Sequence, residues 1–229
     1  MEASCPAISL SSVGLNYGHG EKSTSALKGV DAEFSAGEFA CIQGPSGSGK
    51  TSLLLLIGGM LRPTSGDVLV GGQAIYDMDA ATRSRVRAER IGFVFQMFHL
   101  IPYLDLVGNV LLAGGDGASS GDRRSEALAL LDRVGLAHRA HHYPSELSAG
   151  ERQRAAIGRS LFHEPSVLLA DEPTGNLDPE NTTLVLDLLS DFHATGGTVL
   201  LVTHGRSGDE RADSNYSLID GCLARVSGA

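Results

Sequence analysis

An eight-residue segment of the form G-x-x-x-x-G-K-[ST] constrains the fold of this chain more than any other part of the sequence. It follows an apolar run at residues 38–43 and precedes another at 53–57, which predicts a loop between a buried strand and a helix. Glycines let backbone N–H groups approach phosphate oxygens, and the helix N-terminus adds partial positive charge. The lysine can reach the β- and γ-phosphates, and the threonine hydroxyl can coordinate Mg²⁺. The predicted phosphate-binding residues are Gly44, Pro45, Ser46, Gly47, Ser48, Gly49, Lys50 and Thr51.

Two further apolar runs end in polar residues in the same way. Residues 166–170 lead into Asp171 and Glu172, and residues 198–203 lead into His204. Short, nearly continuous apolar strands are typical of a parallel sheet that is covered on both faces. Because ligands of open α/β sheets bind beyond the carboxyl ends of the strands, we expect these three side chains to lie beside the phosphate loop.

Each of these polar residues has an expected role. Asp171 follows four apolar residues, where an isolated carboxylate is costly to bury, and Mg²⁺ would give it a partner directly or through a water. Glu172 is expected to orient and deprotonate the water that attacks the γ-phosphate, the alternative being a cap on the next turn. His204 would hold the same water, although a lone histidine is more often structural. Gln96 follows another apolar run and either reaches the metal or the water, or only marks the passage into the next segment.

The remaining sequence predicts two additions to the parallel sheet. Residues 67–70 and 73–76, joined by two glycines, predict a hairpin in a small antiparallel layer. After Gln96 the strand signals give way to helical spacing. The predicted fold is α/β: a P-loop NTPase (RecA-like) parallel-sheet core with an antiparallel β layer and an inserted helical subdomain. We expect one domain over residues 1–229, with its core at 1–96 and 164–229 and the helical subdomain at about 97–163.

Composition excludes several classes of protein. The net charge of −9 disfavours nucleic acid as the principal partner, since such proteins are usually basic. No apolar run approaches the roughly 18 residues of a membrane span. The first ten residues lack the features of a secretion signal. Three scattered cysteines fit a reducing compartment, so we expect a cytoplasmic protein.

A second anion site is predicted at residues 147–151. Ser148 and Glu151 have the S-x-x-E spacing of a capping box, which places exposed N–H groups at another helix N-terminus. One nucleotide has no need for two such sites in one chain. A dimer would use both if Ser148 and Gly150 of one subunit contact the γ-phosphate that the other subunit holds.

Taken together, these motifs resemble those of ABC ATPases in order and spacing, over nearly the whole chain. The resemblance implies an ATP-dependent homodimer that encloses two MgATP, integral membrane transporter subunits as partners, and a place at the inner face of the cell membrane. It also implies that Tyr17 stacks on adenine and that Asp178 links the two sites. The motifs that carry it are the phosphate loop, Gln96, residues 147–151, 168–172 and 175–178, and His204.

Finer features are similar to those of the lipoprotein-releasing and macrolide-export ATPases. They are Gly58-Gly59 and residues 63–66, 91–96, 142–144 and 151–154. Two residues depart from the common ABC pattern: Ala149 stands where glycine is usual, and Glu151 where glutamine is commoner. The apolar residues 97–104 either pack within the helical subdomain or line a groove for a short helix of a membrane subunit.

Three other functions share part of this pattern. A soluble ABC ATPase of cofactor assembly or cell division, or the ATPase of an uptake transporter, would use the same catalytic residues. An ordinary phosphoryl-transfer enzyme with a small acceptor would need an acceptor pocket and no second phosphate clamp, so the helix at Ser148 argues against it.

Overall fold

The chain contains both strands and helices, and the strands outnumber the α-helices among the described residues. The computed structural model describes residues 5–18, 24–114, 120–204 and 209–226. In chain order the elements are β1 (Ile8–Tyr17), β2 (Thr24–Phe34), β3 (Phe39–Gln43), α1 (Lys50–Ile57), β4 (Ser65–Val70), β5 (Gln73–Ala74), α2 (Ala80–Arg90), β6 (Ile91–Val94), α3 (Leu106–Leu111), α4 (Ser120–Arg133), α5 (Ala149–Leu161), β7 (Val167–Asp171), α6 (Pro179–Ala194), β8 (Thr198–Thr203), β9 (Ser214–Ile219) and β10 (Cys222–Val226).

Six strands form the central sheet, in the order β10-β9-β3-β8-β7-β6. The five strands from β9 to β6 are parallel, and β10 pairs antiparallel with β9. Both faces of β3 are covered: Ala40 and Ile42 pack in the cluster that contains α1, and Phe39 and Cys41 pack in the cluster of α5 and α6. This two-sided burial explains the nearly continuous apolar runs, and it confirms the predicted α/β class.

A second sheet of four strands, β2-β1-β4-β5, is antiparallel and shares an apolar cluster with α1. The hairpin between β4 and β5 turns at Gly71 and Gly72, whose φ angles of 55° and 73° suit a two-residue hairpin turn. Strand β5 is shorter than predicted because the chain turns again at Ala74, whose carbonyl accepts a hydrogen bond from Asp77. The antiparallel layer was therefore predicted correctly, apart from the length of its last strand.

Between β6 and β7 the described chain is helical. Helices α3, α4 and α5 bury a separate apolar cluster that includes Leu106, Val110, Leu131 and Ala155. Asp105 begins α3 by accepting a hydrogen bond from Gly108 N at 2.7 Å. The boundaries of a helical subdomain at residues 97 and 163 stay a prediction.

The helices of the described residues are too short or too polar to span a bilayer: none of them is at once long and apolar enough to cross a membrane.

Candidate nucleotide site

The loop at residues 44–51 is packed so closely that two of its glycines have no room for a side chain. A Cβ on Gly44 would lie 2.1 Å from the Leu218 carbonyl oxygen, and one on Gly49 would lie 2.4 Å from the Ala26 carbonyl oxygen. Gly49 also has a φ of 103°, which residues with a side chain rarely adopt, and it is the N-cap of α1. The loop thus presents bare backbone at a helix N-terminus, which is the arrangement that binds phosphate groups.

Two polar side chains of this loop, those of Ser48 and Lys50, are buried. Ser48 Oγ is buried and has no hydrogen-bond partner in the described structure. Lys50, which is 5% exposed, donates hydrogen bonds to the carbonyl oxygens of Gly44 and Pro45 at 2.7 and 3.0 Å. An orphaned hydroxyl and a nearly buried ammonium beside exposed backbone suit an anionic ligand.

The carboxylate of Asp171 lies against the first turn of α1. Thr51 Oγ1 donates to Asp171 Oδ1 at 3.1 Å. Burial raises the pKa of Asp171 and the nearby Glu172 carboxylate raises it further, against the opposing effects of the Thr51 hydrogen bond and the Lys50 charge. A buried carboxylate beside a hydroxyl is a pair of oxygen ligands of the kind that Mg²⁺ prefers.

Glu172 lies between a lysine and a histidine. Its Oε1 is 3.7 Å from Lys50 Nζ, and its Oε2 is 3.0 Å from His204 Nδ1. Its φ of 45° falls in the left-handed region, which costs a residue with a side chain on the order of 1–3 kcal/mol. Its backbone N–H donates to the Val202 carbonyl of the neighbouring strand at 3.0 Å, which fixes this strained position at the end of the sheet. The strain aims the carboxylate toward the phosphate loop.

Gln96 and Tyr17 lie near the same end of the sheet. Gln96 is exposed, and its Nε2 is 3.5 Å from the point that a Cβ on Gly175 would occupy, while Glu172 Oε2 is 3.6 Å from that point. Tyr17 is 45% exposed, and its hydroxyl lies 3.1 Å from Ser52 Oγ in the first turn of α1. The structure therefore groups Tyr17, Gln96, Asp171, Glu172 and His204 around the phosphate loop.

Ser148 and Gly150 lie at the start of α5. Ser148 caps this helix: its backbone N–H donates to Glu151 Oε2 at 2.8 Å, and its hydroxyl accepts from Glu151 N at 3.2 Å. This confirms the predicted capping box, and the bond from Ser148 N lowers the pKa of Glu151. Among the described residues, the hydrogen bonds of the Ser148 side chain and backbone N–H join it to Glu151 and not to residues 44–51.

Sequence reasoning missed a side-chain link between α5 and α6. Asp178 is the N-cap of α6, and Asn181 Nδ2 donates to Asp178 Oδ2 at 2.8 Å. Arg154 donates to Asn181 Oδ1 at 2.9 Å, and a Cβ on Gly150 would lie 2.0 Å from the same oxygen. Asn181 thus sets the position of Asp178 relative to the start of α5. The sequence could not predict this link, because no spacing rule joins residues on two separate helices. The only hint was the motif at residues 151–154, which includes Arg154.

The fold and the site were compared with known proteins. The profile of the family described as "ABC transporter" matches residues 27–175. The lipoprotein-releasing system ATP-binding protein LolD 1 of Rhodopirellula baltica is 47% identical over 203 residues, which is 88% of this chain and 89% of that protein. The macrolide export ATP-binding/permease protein MacB 2 of Aeromonas hydrophila is 41% identical over 97% of this chain, but the match spans only 35% of that longer protein.

Solved structures agree with these relatives. The dimeric bacterial ABC transporter cassette MJ0796 superposes with a TM-score of 0.89 and 37% identity, over 97% of this chain and all of that one. A second dimeric structure of MJ0796, in a post-hydrolysis state bound to ADP and Pi, has a TM-score of 0.88 and 35% identity over the same share of this chain and all of its own. The fold of this chain therefore has counterparts in solved dimeric ABC transporter cassettes.

Proposed function

Because this chain belongs to the ABC transporter family of ATPases, we propose that it binds and hydrolyses ATP at residues 44–51, as half of a dimer that powers transport across a membrane. The observation that carries this proposal is the convergence of Lys50, Asp171 and Glu172 at one end of a parallel sheet. A phosphate loop alone would fit many nucleotide-binding proteins. The added carboxylate pair supplies the residues that hydrolysis needs.

Nucleotide binding is assigned to the loop and its immediate neighbours. The backbone N–H groups of residues 46–51 and the Ser48 hydroxyl surround the β- and γ-phosphates. The Lys50 ammonium, now held by two loop carbonyls, turns to the phosphate oxygens, for which a charge-assisted bond is stronger. Tyr17, exposed beside Ser52, stacks on the adenine ring.

Mg²⁺ is assigned to Thr51 and Asp171, with Gln96 as a further ligand. The fit rests on the oxygen pair at 3.1 Å and on the raised pKa of Asp171, because a carboxylate that burial disfavours is stabilised by a cation. When bound, Mg²⁺ would offset the negative charge of the phosphate groups. The protein's part is to hold these oxygens at the first turn of α1, where they adjoin the phosphate loop.

Hydrolysis is assigned to Glu172 and His204. The Glu172 carboxylate accepts a proton from the attacking water, and its left-handed backbone aims it toward the loop. His204 Nδ1, 3.0 Å from Glu172 Oε2, holds that carboxylate in place and can hydrogen-bond the γ-phosphate. Gln96, whose amide lies near the same carboxylate, orients the water.

Dimerisation completes each site. Ser148 and Gly150 of one chain contact the γ-phosphate bound by the other, and Asp178 lies between the two sites. The capping box supports this arrangement, since it places Ser148 at a helix N-terminus, which favours an anionic ligand. The MJ0796 cassettes, which this chain matches over their full length, are dimers.

A groove beside Gln96 is proposed to receive the membrane subunit. It measures about 390 Å³, and its lining includes Phe93, Phe95, Ile101 and Leu112. Such a groove suits an amphipathic helix of the membrane subunit. The helical subdomain, residues 97–163, would move together with that bound helix. We infer that the chain acts at the cytoplasmic face of a membrane in lipoprotein release or export, as the names of its relatives indicate for those proteins.

Affinity capture tests the transport role. The Glu172→Gln variant, loaded with ATP, is used as bait in detergent extracts of host membranes, and co-purifying proteins are identified by mass spectrometry. A membrane subunit with a large extracytoplasmic domain would support release or export. A multi-span permease with a binding protein would mean uptake. Only soluble partners, from a bait that is folded and dimeric, would replace transport by an assembly function.

A further inference from the structure

Arg159, in the second half of α5, hydrogen-bonds the chain that follows Gln96. Its Nη2 donates to the Phe98 carbonyl at 2.9 Å, and its Nη1 donates to the His99 carbonyl. One guanidinium therefore binds two consecutive backbone oxygens, although 60 or more residues separate the partners along the chain. The two parallel donors of an arginine suit such a pair, and a lysine could bind only one of them well.

Among the described residues, Arg159 forms no ion pair with an aspartate or glutamate. Burial lowers the pKa of Arg159. Among the six ion pairs found between described residues, none involves this guanidinium. A half-buried charge is unfavourable unless hydrogen bonds replace its water, and here the carbonyls of Phe98 and His99 do so. The Arg159 guanidinium therefore loses part of its hydration in the folded chain, and the two backbone carbonyls take the place of the lost water.

The two carbonyls belong to a turn that is itself unfavourable. Phe98 and His99 have φ angles of 56° and 49°, in the left-handed region that bulky residues avoid. The turn is tight, since Phe98 N donates to the Phe95 carbonyl at 3.3 Å. Arg152, also on α5, places its guanidinium 5.4 Å from the centre of the Phe98 ring. Two arginines of α5 thus hold this turn in a conformation that its own residues disfavour.

Gln96 lies inside the same turn, within two residues of Phe98, and its amide reaches the neighbourhood of Glu172. The start of α5 carries Ser148, the proposed contact to the partner's nucleotide. We propose that Arg159 is a positioning residue for hydrolysis, which holds Gln96 beside Glu172 and ties its position to that of α5. This inference rests on the proposed role of Gln96 in ATP hydrolysis.

The test is a double-mutant cycle between Arg159→Gln and Gln96→Ala, with kcat for ATP and the affinity for a fluorescent ATP analogue measured for each variant. Arg124→Gln is the matched control, because Arg124 is an exposed arginine of α4. We expect Arg159→Gln to lower kcat about fivefold, as residues that couple two sites do, and to leave the affinity unchanged. The kcat of Arg159→Lys should fall between those of Arg159→Gln and the parent, and the kcat of Arg124→Gln should match that of the parent.

The cycle separates positioning from general support of the fold. If Arg159 acts through Gln96, adding Arg159→Gln to Gln96→Ala lowers kcat little further. If the two substitutions lower kcat independently, so that their fold-changes multiply in the double variant, the inference is overturned. A parental kcat in Arg159→Gln would also overturn it, as would a loss of ATP affinity equal to the loss of kcat. If Arg159→Gln does not fold, the same cycle is run with Arg159→Lys. A parental kcat in Gln96→Ala would overturn the role of Gln96 and this inference together, whereas a parent chain without ATPase activity would refute the proposed function itself.

Discussion

Asp171 shows at the scale of single residues how a binding site reduces stability. Its pKa is raised above its unfolded value of 3.8, chiefly by burial. The folded state therefore binds the proton more tightly than the unfolded state does. The stabilisation from protonated Asp171 is fully present below the unfolded pKa and is lost as the pH rises through the folded pKa. At neutral pH the ionised carboxylate is thus a cost to folding.

We predict that Asp171→Asn raises the melting temperature at neutral pH without Mg²⁺, because an amide keeps an acceptor for Thr51 and removes the charge. A gain of about 1 kcal/mol corresponds to roughly 2–4 °C for a chain of this size. The difference should disappear in acid, once Asp171 is protonated in the parent, and stabilisation by Mg²⁺ should be lost. Thermal unfolding with and without Mg²⁺ measures both effects. Asp191→Asn, an exposed acid on α6, is the control, and a melting temperature of Asp171→Asn below that of the control would contradict the argument.

Lys50 is expected to contribute most of the side-chain affinity for phosphate. Lys50→Ala removes a charge-assisted contact worth roughly 1.5–3 kcal/mol, so ATP should bind about tenfold to a hundredfold more weakly. Isothermal titration with ATP checks this. Lys28→Ala, on an exposed position of β2, should bind like the parent. Equal affinities for the two variants would mean that the phosphates bind elsewhere.

The phosphate loop could be predicted from the sequence because its signal is local. Eight consecutive residues, Gly44 to Thr51, define both the backbone turn and the start of α1, and the structure contains both elements. Asn181 and Arg159 could not be found in this way. Their partners lie on other helices or in a distant turn, and neither their residue type nor their spacing indicates which contact the fold will bring about.

At the scale of elements, α5 contains two glycines with opposite surroundings. A Cβ on Gly150 would lie 2.0 Å from Asn181 Oδ1, whereas one on Gly158 would lie 3.5 Å from Val134 Cγ2, an ordinary contact. The same substitution therefore tests packing at one position and helix propensity at the other.

We predict that Gly158→Ala stabilises the chain by about 0.5–1 kcal/mol, since glycine is unfavourable within a helix. Gly150→Ala should instead destabilise it by about 1–3 kcal/mol through overpacking, and it should break the Arg154–Asn181–Asp178 link. Urea unfolding of the two variants gives the comparison. Equal stabilisation of both would show that Asn181 moves aside freely and sets no position.

Element boundaries followed from the sequence where a local signal marks them. The predicted N-cap of α5, Ser148, is the N-cap in the structure, because a capping box specifies a helix N-terminus within four residues. Strand β5 ended earlier than expected, because its last apolar residues face inward from a turn: Ile75 is 2% exposed and belongs to the cluster around α1. An apolar residue at the end of a strand and one in a buried turn look alike in sequence.

At the scale of the whole molecule, the proposed contact of Ser148 with the nucleotide of the partner chain implies that activity requires two chains. We predict that the ATPase activity per chain rises with protein concentration, since dilution dissociates the dimer. Measurement of specific activity over a dilution series checks this. A constant specific activity, in a preparation that light scattering finds monomeric throughout, would contradict a shared site.

Removing the proposed general base should separate assembly from chemistry. Glu172→Gln should bind ATP with the affinity of the parent, lower turnover by about 10²–10⁴, and form a stable dimer with ATP, because hydrolysis no longer separates the chains. Size-exclusion chromatography with ATP and with ADP gives the readout. Glu180→Gln, an acid in the first turn of α6, is the control and should elute as a monomer after turnover. If Glu172→Gln hydrolysed ATP at the rate of the parent, Glu172 would not be the general base.

The serine that caps α5 has a consequence for inheritance if it contacts the partner's nucleotide, as proposed. A chain with a defective Ser148 would then still bind ATP at its own loop, but it would impair the site of whichever intact chain it joins. In a cell that makes both forms, the fraction of fully intact dimers falls as the square of the fraction of intact chains. A mutation at this helix start would therefore act as a dominant trait, with the defective copy disabling the product of the healthy one.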